Sequence, residues 1–137
     1  LKSRAYDPWV AALAERGRSP RDHRVGIIRS ILVCDDPEAD WEIVRAAESY
    51  RMRLYKQFFA ESGEGFGEAG EAIPQTWIVG DPDHCVAEIL RFVAAYGITD
   101  IVTMAVPPGL RAAQMRTSLE RLFTEVAPRV KQALGEG

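Results

Sequence analysis

TWIVGDPDHCVAEILRFVAAYGITDIVTMAVPPG, residues 76–109, decides the fold. Ile73 to Val79 is short and extended. Asp81-Pro82 then opens a helix, with the carboxylate as N-cap and proline at the first helical position. The apolar positions run to Tyr96, and Gly97 follows as a C-cap that accepts positive φ. Ile98 to Val106 is almost continuously apolar and β-branched, as a strand buried on both faces is. Pro107-Pro108-Gly109 ends it as a stiff loop. Strand, helix, strand and loop in this order make one turn of a parallel α/β winding.

Upstream, RVGIIRSILVC (Arg24 to Cys34) repeats the buried-strand pattern, with Arg29 and Ser30 as its polar interruptions. A charge inside such a strand requires a partner or a function. Asp35-Asp36-Pro37-Glu38 starts the longest helix, with carboxylates at its positive end. That helix is expected to reach about Ser62, with Trp41, Val44, Ala47, Tyr50 or Arg51, Leu54 and Phe58 on its apolar side. Asp7-Pro8 starts a shorter helix that Gly17 closes. GEGFGEAG (Gly63 to Gly70) is an acidic flexible loop, and a last helix from Leu110 to about Leu134 is interrupted near Pro128. Two strongly apolar strands separated by helices predict parallel pairing with right-handed crossovers. So few strands leave unpaired edges, to be covered by further strands or by a second copy of the chain.

The balance of charges is −3, with no basic run, so a nucleic-acid partner is not expected. No apolar run approaches the roughly 20 residues that span a bilayer. The cysteines, Cys34 and Cys85, lie far apart and outside metal-ligand spacing. Free thiols fit a reducing compartment, so a cytoplasmic location is expected. The chain starts at Leu1 and reads as helix almost at once, so it is expected to begin partway through a longer protein.

Four motifs resemble one enzyme family. Gly17-Arg18-Ser19-Pro20 is similar to a GR-x-P loop before a strand, and RSILVCDDPEADW (Arg29 to Trp41) to a strand-to-helix pattern R-x-x-x-V-A-D-T-x-x-E-A. IVGDPDHCVAEIL (Ile78 to Leu90) resembles I-G-T-P-E-x-V-A-E-x-L, and LERLFTEVAPRV (Leu119 to Val130) the terminal L-x-x-F-A-x-E-V-x-P. Together, in this order and spacing, they resemble the C-terminal part of the luciferase-like flavin-dependent monooxygenases. The chain departs from that pattern at Cys34 for Ala, Asp36 and Asp81 for Thr, and Asp83 for Glu. Carboxylates at those helix starts disfavour a phosphate there.

The resemblance implies a TIM barrel of about 300 residues or more. Residues 1–137 would then be its last two βα units with an inserted segment, a fragment inactive alone. It implies FMN, or in one branch a deazaflavin, as cofactor. Reduced flavin would come from a reductase, a small organic molecule would be the substrate, and the N-terminal barrel half and homo-oligomerisation would complete the assembly. Active sites of barrels sit at the C-terminal ends of the strands. Arg29, if it faces the lumen, would hold an anionic substrate or the flavin's pyrimidine edge; otherwise it forms a salt bridge under the outer helices. Ser30 has the opposite parity, and could instead hydrogen-bond the isoalloxazine. Met104 and Ala105 would line the cofactor, and Pro107, Pro108, Gly109 and Arg111 the substrate rim.

The remaining candidates have plainer readings. His84 and His23 are expected at the surface, and Cys85 in the packing. Trp41, Trp77 and the Phe58-Phe59 pair read as core. Arg45, Arg51, Arg53 and Lys56 among Glu42 and Glu48 read as a solvated face with pairs such as Glu48–Arg51. No metal site is expected. A non-catalytic α/β fragment that serves assembly is the alternative class.

Overall fold

The computed structural model describes residues 5–60 and 72–135. The protein is mixed α/β. Helices α1 (Tyr6–Ala14), α2 (Pro37–Phe58), α3 (Pro82–Tyr96), α4 (Ala112–Arg121) and α5 (Ala127–Ala133) alternate with short strands β1 (Gly26–Ile28), β2 (Ser30–Val33), β3 (Trp77–Gly80) and β4 (Asp100–Val102).

β1 and β2 are one extended run broken at Arg29. β1 pairs in parallel with β4, Ile27 opposite Ile101, and β2 pairs in parallel with β3, Ile31 opposite Ile78. The hinge is visible in two successive amides: Arg29 N–H donates to the Val102 carbonyl and Ser30 N–H to the Thr76 carbonyl, both at 3.0 Å. Successive amides of an extended chain point to opposite sides, so β4 lies along one edge of the run and β3 along the other. Among the described residues no strand pairs with the outer edges of β3 and β4.

The helix starts follow local chemistry. Asp36 Oδ1 accepts the Ala39 N–H at 3.1 Å and Asp81 Oδ1 the His84 N–H at 2.8 Å, each with proline in the first turn. Gly97 closes α3 at φ 60°. α1 begins two residues earlier than its Asp7-Pro8 signal, behind Ala5, without a side-chain cap. Gly17 follows its last turn at φ 65°.

Other expectations are corrected. The strand expected to Val106 stops at Val102, because beyond it side-chain hydroxyls take over the hydrogen bonds of the neighbouring strand. Ile31 N–H donates to Thr103 Oγ1 at 3.2 Å and Val33 N–H to Ser118 Oγ at 2.8 Å. Burial on both faces holds for β2 and β3 but not for β1 and β4, where Ile28 and Val102 are 72% and 59% exposed. α2 ends at Phe58, short of Ser62, which lies outside the described residues as does the Gly63–Gly70 loop. Phe58 and Phe59 are exposed, not core. The last helix widens into a π-helical turn at Leu122–Val126 before Pro128, whose missing N–H cannot continue the regular ladder.

Two cores lie on opposite faces of the extended run. Ile31 and Val33 point to one with Ile78, Ile89, Phe92 and Val126. Leu32 and Cys34 point to the other with Trp41, Val44, Trp77 and Met115. Trp41 and Trp77 meet edge to face at 5.3 Å between centroids, as core residues.

Candidate functional site

All three strand-to-helix connections leave from the C-terminal ends of parallel strands: Cys34–Asp36 after β2, Asp81 after β3, and Thr103–Arg111 after β4. The last is fixed by a turn in which Leu110 N–H donates to the Pro107 carbonyl at 3.1 Å, with Gly109 at φ 90°. Proline then glycine at the central positions matches a type II turn. Pro107 is fully buried, whereas Pro108, Gly109 and Arg111 are exposed. Val106 and Leu110 anchor the loop on the core of Trp41 and Met115. Met104 is half-buried and Ala105 exposed. Arg111 N–H donates to Gln114 Oε1 at 3.0 Å and so helps start α4.

This end of the sheet is rich in carboxylates. Arg121 bridges Asp35 at 2.9 Å and Glu125 at 3.2 Å, and Arg129 holds Asp83 at 2.6 Å. Burial, reinforced by Asp40 and Asp35, pushes the Cys34 thiol up to about 11. Burial does the same to Cys85, to about 12. Neither is poised as a thiolate nucleophile. Among the described residues no three His, Cys, Asp or Glu side chains form a metal site.

Arg29 and Ser30 fall on opposite faces, as strand alternation requires. Arg29 lies on the face covered by α3, its guanidinium carbon 4.9 Å from the Phe92 ring centroid. Arg29 Nη1 donates to the Ile28 carbonyl at 2.7 Å. No salt bridge to a helix carboxylate forms among the described residues; the aromatic ring takes the place that reading gave to an acid. Ser30 is buried on the face of Leu32 and Ile28.

The cleft beside Arg29, about 700 Å³, is lined by Arg24, Ile27 and Arg29 of the extended run and by Tyr6, Trp9, Phe92 and Tyr96. It therefore opens at the N-terminal half of the run, away from the Pro107–Arg111 loop. The structure does not bring Arg29 together with that loop. Sequence reasoning missed the aromatic wall. Its signals were Tyr6 with Trp9 at spacing three in α1 and Phe92 with Tyr96 at spacing four in α3, pairs that share a helix face. Tyr6 Oη donates to the Tyr96 carbonyl at 2.7 Å and the two rings meet edge to face, tying α1 to the end of α3. His23 is half-buried against Trp9 rather than fully exposed, whereas His84 is exposed.

No family model matches the chain, and no curated protein matches it. No helix among the described residues is long and apolar enough to cross a membrane.

Proposed function

We propose that the chain is the C-terminal part of a luciferase-like, flavin-dependent oxidoreductase built on a TIM barrel. The observation that carries this is the common direction of the strand-to-helix connections. The motifs at Cys34–Trp41, Gly80–Cys85 and Pro107–Arg111 all leave the C-terminal ends of parallel strands, where barrel enzymes assemble their sites. With β3 counted in the inserted segment, the Arg24–Cys34 run and β4 are consecutive parallel neighbours. The unpaired outer edges then await the strands of the N-terminal barrel half.

On this reading α3 belongs to the outer layer, so the inward face is that of Ile28, Ser30 and Val102. Ser30, Met104 and Ala105 contribute to the flavin site, and Pro107, Pro108, Gly109 and Arg111 to the substrate rim. Arg29, under α3, is left for another role. Reduced FMN, supplied by a reductase, would bring the redox chemistry with oxygen; the chain would position the ring and exclude water. The acids at the helix starts favour a phosphate site elsewhere in the whole protein. A deazaflavin used for hydride transfer fits the same residues. The compartment is cytoplasmic, in keeping with the free thiols.

A specific observation favours a second reading. Helices cover both faces of β2, as in a layered module whose task is assembly and not catalysis. Fluorescence titration of FMN against this chain and the full gene product, in oxidised and reduced form, separates the two. Binding by the longer protein supports the flavin enzyme. Binding of the deazaflavin alone selects hydride transfer. Absence of both, with a discrete oligomer in solution, selects the assembly module.

A further inference from the structure

The geometry points to a binding site for a small aromatic carboxylate in the cleft of Arg29, separate from the flavin mouth and independent of it. Three observations meet there. First, the guanidinium of Arg29 is half-buried and has no carboxylate partner among the described residues. Its Nε is buried with no hydrogen-bond partner at all. No carboxylate among the described residues therefore shares the guanidinium's charge, and an anion in the cleft would compensate it. Second, the cationic neighbour at the rim is already neutralised: Arg24 pairs with Asp100 through both guanidinium and carboxylate edges. Among the described residues, one uncompensated cation therefore lines the cleft, which matches a single negative charge. Arg91, over the other contact to Phe92 at 5.1 Å, is likewise paired, with Glu88.

Third, four aromatic rings form much of the remaining wall, beside Val25, Ile27 and Gln75. Tyr6, Trp9, Phe92 and Tyr96 line a cleft of about 700 Å³, a volume that suits a ligand of one or two rings. A planar ring packs against such a wall by offset or edge contacts. A carboxylate on that ring meets the flat donor fork of arginine in the geometry the fork is built for. A phosphate monoester would carry a second charge, and among the described residues the other arginine of the cleft, Arg24, is already paired.

The test is isothermal titration calorimetry of the intact chain with naphthoate, against the neutral isostere naphthamide. Naphthoate should bind at least about tenfold more tightly than naphthamide. Arg29→Gln should abolish that preference, and Arg45→Gln, at the surface of α2, should leave it unchanged. Arg29→Lys keeps the charge but loses the fork, and should fall between. Circular dichroism checks that each variant folds. If Arg29→Gln does not fold, the acid-over-amide preference of the unaltered protein and the Arg29→Lys value decide. No heat at millimolar naphthoate, equal binding of acid and amide, or a preference untouched by Arg29→Gln or Arg29→Lys overturns the site. FMN titration is read separately, so its failure leaves this result standing.

Discussion

Ser118 on α4 accepts the backbone N–H of Val33 at 2.8 Å, in the buried interior and across 85 positions of sequence. β4 has ended by that point, so no strand carbonyl is available on this edge of β2. The hydroxyl completes the ladder and fixes α4 against the strand in one step. Ser118→Ala strands a buried donor, and should cost about 1–3 kcal/mol. Urea denaturation of the variant gives the value. A loss near zero would mean that the amide finds water or another acceptor, and that α4 is not anchored in this way.

Gly97 sits at φ 60°, just past the end of α3, and a Cβ built there would meet nothing within 4 Å. Its requirement is therefore conformational, not steric contact with the rest of the fold. Gly97→Ala should destabilise the chain by about 1 kcal/mol through the left-handed backbone alone. Gly97→Asn, whose side chain tolerates that region, should recover part of the loss. Thermal unfolding of the two variants side by side checks the order.

These elements also show how far the sequence could be read. The caps at Asp36, Asp81 and Gly97 were legible because each acts within a few residues of itself. The end of β4 was not. Ile98 to Val106 is apolar throughout, and only the tertiary placement of Thr103 and Ser118 stops the pairing at Val102. The parity of Arg29 against Ser30 was readable, but its direction depends on which helix covers which face. The aromatic wall around Arg29 joins α1 to α3 across 90 positions, a distance no local pattern spans.

The thiols give a pH dependence with a definite sign. Burial raises Cys34 to about 11 and Cys85 to about 12 in the folded chain. In the unfolded chain a thiol titrates near its ordinary value of about 8.5. Below that value both states keep the proton and the contribution is fully present. Above it the unfolded chain has lost protons that the folded chain retains, so stability falls as pH rises, until the folded values are passed. Urea midpoints between about pH 8 and about pH 10 should decline, and less steeply in a Cys34→Ala/Cys85→Ala variant. The native thiols should also resist a disulfide exchange reagent until denaturant is added. Rapid native labelling would contradict their burial.

Two ion pairs on α2 share the spacing i,i+3 and differ in burial, and Arg51 also lies over the Tyr55 ring at 5.3 Å. Glu42–Arg45 lies at the surface, with side chains 58% and 40% exposed. Glu48–Arg51 was expected on the same solvated face, yet Glu48 is fully enclosed and the Arg51 side chain is only 14% exposed. Arg51 Nε donates to Glu48 Oε2 at 2.9 Å, and this bond holds the guanidinium above its ordinary range. Arg45→Met should cost less than about 1 kcal/mol, because water and salt already screen that pair. Arg51→Met removes the partner of an enclosed carboxylate and should cost about 3–5 kcal/mol. Adding Glu48→Gln to Arg51→Met removes the orphaned charge, so the double variant should be more stable than Arg51→Met alone. Urea denaturation of the three variants tests this. Equal losses at Arg45 and Arg51 would show that enclosure, not spacing, is the wrong distinction between the pairs.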